Sequence, residues 1–236
     1  MFALFESLFA KTFLILSVQL FMTYAAAVYV LRLFKQLYLA EHPAVTATRT
    51  ADGELDLVIE LKEFQTHLWI LMGADIVLFL LLLLASHFSL WISLVLFTLW
   101  SVVTGVWIAL VLLSVDENLG SRVLSLTAYI TLGCALIGIY SGIDFSFLGS
   151  ILFFSLLALL LLSMVRLFVK MKRWKERVIS FFGVVVFVGY LLYDFNRLDK
   201  LQKAGVNSWQ TAMGLAISIY LDVINLFLDL LDLLSD

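Results

Sequence analysis

Seven apolar runs, each near the length that carries a helix across a bilayer, constrain this chain more than any other feature. A hydrocarbon core of about 30 Å takes about 20 residues of α-helix. Runs of that order lie at about 12–31, 68–85, 90–113, 123–140, 147–165, 178–193 and 209–234. Backbone N–H and C=O groups have no water to bond in lipid, so each run must satisfy its own groups as a helix. The runs are continuous and not alternating, which argues against a β-barrel. Composition agrees: 63% of residues are hydrophobic and 14% charged, against roughly 45–50% and about 25% in soluble domains. The single proline, Pro43, lets the helices run uninterrupted. The expectation is an all-α polytopic membrane protein forming one transmembrane domain over residues 1–236.

The first run has no basic stretch before it and continues to about Leu31, so it reads as a retained helix and not as a cleaved signal. Two links are very short, Ser86-His87 and Ser141 to Asp144, and they force antiparallel neighbours. One link is long. In residues 33–64, Leu55, Leu57, Ile59 and Leu61 alternate with Asp56, Val58, Glu60 and Lys62, after the turn-forming pair Asp52-Gly53. This predicts an extramembrane β-hairpin insertion pairing about Val45–Arg49 with Glu54–Ile59; an irregular loop is the alternative.

Several function classes are excluded or disfavoured. The net charge is −3 with no basic patch in a soluble region, so nucleic acid is a poor partner. Cys134 stands alone and can form no internal disulfide. No histidine or cysteine pair has zinc-ligand spacing, and His67 and His87 lie at segment ends. There is no Walker loop or dinucleotide fingerprint. The seventh run lacks a lysine for a retinal Schiff base, and no buried histidine could serve an intramembrane serine nucleophile. No enzyme and no resident cofactor are expected.

Acids inside the spans need a reason, since each costs roughly 2.5–3.5 kcal/mol on insertion scales. They are Asp75, Asp194, Asp222, and the tail pair Asp229 and Asp232. In the seventh run Thr211, Ser218, Asp222, Asn225, Asp229, Asp232 and Asp236 recur at helical spacing on one stripe. Such a helix fits inside a bundle beside a cation-attracting cavity; a helix lying on the membrane surface is the alternative, although that class carries Lys or Arg on its polar face. Gly205 and Asn207 or Ser208 would cap the two helices of a hairpin. Counting from those caps, Asp194 and Asp222 lie about 16 and 21 Å up their helices. Two carboxylates that close share a proton and titrate as a unit, which makes a proton sensor and cation site. Asp194 also stands three residues before Arg197, and a plain interface ion pair is a second reading of it.

The stretches YDFNRL (193–198) and SIYLDVINLFLDLLDLL (218–234) resemble the C-terminal signature of the Bax inhibitor family, the transmembrane Bax inhibitor motif proteins, in a bacterial-type member. Residues 125–165 are similar to that family's fourth and fifth helices. The resemblance implies six helices around a central seventh. It implies a pH-sensitive calcium leak, or proton-coupled cation transporter, with Asp194 and Asp222 as sensor and tentative calcium ligands. Asn225, Asp229 and Ser218 of the stripe would line the ion pathway, and Asp75 either faces the same cavity or bonds a hydroxyl on a neighbouring helix. Calcium-leak members carry a second-helix arginine latch; none lies between Leu68 and Ala85, so either another cation does the latching, with Arg197 the candidate, or the gate differs. Members are also linked to suppression of cell death and to membrane proteases, so a non-conducting regulator that binds a membrane protease or channel is the alternative. The expected location is the cell inner membrane. The family favours a cytoplasmic N-terminus, whereas the basic stretch at 166–177 argues the reverse, and orientation stays open.

Overall fold

The computed structural model describes residues 6–41, 45–49, 55–59, 61–86, 88–113, 115, 117–169 and 171–235. The chain runs α1 (Leu8–Leu39), β1 (Val45–Arg49), β2 (Leu55–Ile59), α2 (Leu61–Ala85), α3 (Leu90–Leu112), α4 (Glu117–Tyr140), a 3₁₀ turn (Phe145–Phe147), α5 (Leu148–Phe168), α6 (Arg173–Lys203) and α7 (Trp209–Leu234). All seven helices are long and apolar enough to cross a membrane. This is an integral membrane protein.

Most of the helices outrun their apolar cores, because a helix continues into polar flanks that still satisfy its backbone. The helix α1 reaches Leu39 and α2 starts at Leu61, so both ends of the expected 33–64 insertion, residues 33–39 and 61–64, are helical. Within it β1 and β2 run antiparallel, with Val45 opposite Ile59 and Arg49 opposite Leu55. The expected turn at Asp52-Gly53, with Glu54, lies outside the described residues, as do His87, Lys170 and Asp236.

Contacts divide the chain into two compact units, Met1–Leu16 with Asn118–Asp236, and Ser17–Glu117. In the second unit α1 and α3 cross closely. A Cβ at Gly105 would lie 2.3 Å from the Thr23 carbonyl oxygen and 2.8 Å from the Ala26 Cβ. Polar side chains join the same crossing: Gln19 Nε2 donates to Thr98 Oγ1 at 3.2 Å, and Ser101 Oγ donates to Gln19 Oε1 at 3.1 Å. Small residues and buried hydrogen bonds are what bring helices together where lipid removes the hydrophobic drive.

In the first unit α6 and α7 form a helical hairpin. Gly205, at φ +78°, closes α6 in a Schellman turn: Val206 N–H donates to Leu201 O at 3.0 Å and Gly205 N–H to Gln202 O at 3.1 Å. Ser208 is the N-cap of α7, its Oγ accepting from Thr211 N–H at 3.0 Å. Asn207, the other candidate cap, instead receives Lys11 Nζ on its backbone oxygen at 2.7 Å and on Oδ1 at 2.8 Å. The start of α1 is thereby tied to the α6–α7 link, and Leu8 N–H donating to Gln202 Oε1 at 2.6 Å reinforces the tie. Of the seven helices α7 is the most buried: 56% of its apolar window is buried, against 39% or less in the others. That places α7 inside the protein and removes the surface-helix reading.

Candidate functional site in the α6–α7 hairpin

Asp194 and Asp222 come together in this hairpin. Each is almost fully buried, with 4% and 6% exposure, and each carboxylate lies within the other's field. Their helix positions dictate this: the two helices run antiparallel from one tight link, and both acids sit on the faces that meet. Asp194 has the Ser218 hydroxyl as a hydrogen-bond donor from α7. One oxygen of Asp222, Oδ2, is buried with no hydrogen-bond partner among the described residues. A buried carboxylate oxygen left without a donor is costly, so this pair is a place where a proton or a cation would be favoured.

Tyr190, one turn before Asp194 on α6, is half-buried and lies within the field of both acids. Sequence reasoning missed it. The signal was there, because residues four apart share a helix face.

The remaining expected site residues separate. Ser218 joins Asp194. Asn225 is half-buried but uses its amide on its own helix, donating to Leu221 O at 2.8 Å. Asp229 is half-buried against α6, where a Cβ at Gly183 would lie 2.1 Å from its Oδ2. Thr211 is engaged by Ser208 at the cap. Asp75 belongs to the other unit, half-buried and in contact with the Trp100 indole. Arg197, the candidate latch, is exposed and makes no ion pair among the described residues; it attracts Asp194 only through space. Residues three apart are neighbours on a helix surface, so Arg197 stays near enough to attract Asp194 from the exposed side of α6, but it forms no ion-pair latch with it among the described residues.

At the far end of α7, Asp232 is claimed by other helices. Arg166 Nη2 donates to its Oδ2 and Arg173 Nη1 to its Oδ1, both at 2.9 Å, and the Ser180 hydroxyl donates to Oδ2 as well. The stripe legible in the sequence is therefore three different environments in space.

Asn196 is a second residue that sequence reasoning passed over. It is 6% exposed. Its Nδ2 donates to Gly138 O at 3.2 Å and Ile143 O at 2.9 Å, and its Oδ1 accepts from Phe145 N–H at 3.1 Å. Two residues from Asp194, it fastens α6 to the α4–α5 link. Nearby, Tyr193 packs on Gly149, where a Cβ would meet its ring at 3.3 Å.

Calcium takes six to eight oxygen ligands. Among the described residues no three His, Cys, Asp or Glu side chains converge. The acidic pair, the Ser218 hydroxyl, main-chain carbonyls and water would have to supply a calcium shell.

Residues 6–236 match the family model described as inhibitor of apoptosis-promoting Bax1. Protein LIFEGUARD 1 of Arabidopsis thaliana is 40% identical over 95 residues, 40% of this chain and 38% of that one. The Golgi anti-apoptotic protein of Vaccinia virus (strain Lister) is 41% identical over 92 residues, 39% of this chain and 36% of that one. An uncharacterized protein of Borreliella burgdorferi is 30% identical over 144 residues, 59% of this chain and 62% of that one. Each alignment spans less than two thirds of the relative's length.

Proposed function

Because the chain belongs to the Bax inhibitor family, we propose that it is a pH-sensitive calcium leak channel or proton-coupled cation transporter gated by Asp194 and Asp222. The observation that carries this reading is the buried pair itself, each acid in the other's field and one Asp222 oxygen without a donor. Two carboxylates in one dry site cannot both ionise freely. With one proton between them the helices stay together. With the proton gone, the doubled negative charge is balanced by a cation, and hydroxyl and carbonyl oxygens complete its shell. In this scheme Tyr190 and Ser218 orient the carboxylates, and the membrane is the cell inner membrane. Arg197 is a through-space stabiliser of the ionised pair.

Purified protein in liposomes loaded with a calcium dye tests the scheme. Flux that depends on pH and disappears in Asp194→Asn/Asp222→Asn is expected. Calcium flux equal in the wild type and the double variant would sink it.

The alternative, a non-conducting regulator that binds a membrane protease or channel, has its own support in the strand pair of the α1–α2 link, standing outside the bilayer as a contact surface. The relative named anti-apoptotic is consistent with such a role. Pull-down with and without residues 40–62 separates the two, since conduction alone has no need of them.

A further inference from the structure

The Asp232 cluster has no place in the scheme above. It joins three helix ends through one carboxylate. Arg166 belongs to the last turn of α5 and Arg173 opens α6. Besides Asp232 Oδ1, Arg173 reaches the backbone oxygen of Asp232 at 2.8 Å, Ser235 O at 2.9 Å and Ser235 Oγ at 2.5 Å. Arg177 adds a contact to Ser235 O at 3.0 Å. These guanidinium groups meet the last carbonyls of α7, where the helix dipole is negative, and hold Asp232 in a charge-assisted fork.

The cluster sits at the end of the acidic stripe. Asp222 and Asp232 are ten residues apart on one helix, about 15 Å. Asp229 lies between them, in the space that Gly183 leaves open. It makes no hydrogen bond or ion pair among the described residues, yet it stands within the fields of Asp232 and Arg166. A cation moving from Asp222 past Asp229 would next meet Asp232, already neutralised by two arginines. Those arginines repel the cation and occupy the carboxylate it would need. The clamp is also openable: Arg166, Arg173 and Asp232 side chains are 29%, 38% and 30% exposed, so water can take over their bonds when they part.

We propose that the Arg166–Asp232–Arg173 clamp is a second closure, at the α5–α6–α7 end, which must open for a cation to pass along α7. This deepens the conduction scheme and rests on it. The clamp acts by holding three helix ends together and by placing positive charge across the exit, and the Asp194–Asp222 pair is the separate, inner control.

Calcium flux into proteoliposomes is measured for the wild type, Asp232→Asn, Arg166→Gln, and Asp232→Asn combined with Asp194→Asn/Asp222→Asn. In parallel, spin labels at Val169 and Leu234, both exposed, report the separation of the α5 and α7 ends in a Cys134→Ser background. Loss of one partly exposed ion-pair network is expected to raise basal flux about fivefold and to widen the label-distance distribution. The combined variant returns to silence. If the wild type conducts through the aspartate pair while Asp232→Asn and Arg166→Gln conduct no faster, the second closure is overturned and the inner site stands. If neither wild type nor Asp232→Asn conducts, the conduction scheme falls and the closure that rests on it falls with it; a label distribution left unchanged by Asp232→Asn overturns the clamp in either case. Should Asp232→Asn fail to fold, Arg166→Gln carries both readouts.

Discussion

The side-chain amide of Asn196 donates to the backbone carbonyl of Ile143 at 2.9 Å, and so a helix residue carries the turn between two other helices. The same amide also reaches Gly138 O, and its oxygen takes Phe145 N–H. Leucine at 196 would leave these backbone groups without their partner, and a buried group left unmade costs about 1–3 kcal/mol. Asn196→Leu is therefore expected to lower the thermal unfolding midpoint in detergent by several degrees. Full stability in that variant would show that the α4–α5 link does not depend on α6.

Gly183 and Asp229 make a second testable pair. A methyl at 183 would meet Oδ2 at 2.1 Å, Cγ at 2.6 Å and Oδ1 at 2.9 Å, so Gly183→Ala must displace the Asp229 carboxylate. Overpacking of this kind costs about 1–3 kcal/mol. In an Asp229→Ala background the clash is gone, and alanine's better helix propensity, worth about 1 kcal/mol, should make the same substitution neutral or stabilising. A double-mutant cycle by chemical denaturation reads the coupling; zero coupling would contradict the contact.

At Gly105 the obstacle is different, because the nearest atom is the backbone oxygen of Thr23, at 2.3 Å. A main-chain atom cannot swing aside as a carboxylate can. Gly105→Ala should cost more than Gly183→Ala, and Gly105→Val more again. Crossing helices that must separate would be seen as faster proteolysis or exchange in the 17–117 unit. Wild-type protection in both variants would argue against the close α1–α3 crossing.

Asp144 carries the pH prediction. The Lys200 ammonium, then the backbone N–H and hydroxyl of Ser146, lower its pKa from 3.8 to about 2. A folded-state value below the unfolded one means the native state binds protons less readily. The stabilisation is complete above the unfolded value of 3.8 and is lost as pH falls through about 2. Amide exchange at Phe145 and Ser146 should accelerate across that window relative to neighbouring amides. Asp144→Asn should flatten the dependence. A wild-type profile with no step there would rule out the Asp144–Lys200 pairing as the cause.

Much of this could be read from residues alone. Trp209–Leu234 was legible to the residue because Ser208 caps its start and the apolar run ends with the chain's last leucines. The other helices were legible at their cores and less so at their ends, since Arg173 to Arg177 and Asn196 to Lys203 are polar yet helical. The hairpin that carries Asp194 and Asp222 followed from two caps, Gly205 and Ser208. Tyr190 and Asn196 were not seen, because a half-polar residue on a helix declares its face but not its partner.

The residues alone required seven membrane-crossing helices and an acidic stripe on α7. Apolar length and helical period settle both, and both are local properties of the chain. The surroundings of each acid on that stripe depend on groups that packing brings from other helices. Asp222 is left with an unbonded oxygen, Asp229 is seated over Gly183, and Asp232 is taken by Arg166 and Arg173 from more than fifty residues away. A carboxylate's chemistry is set by the charges and donors brought against it, and packing alone chooses those.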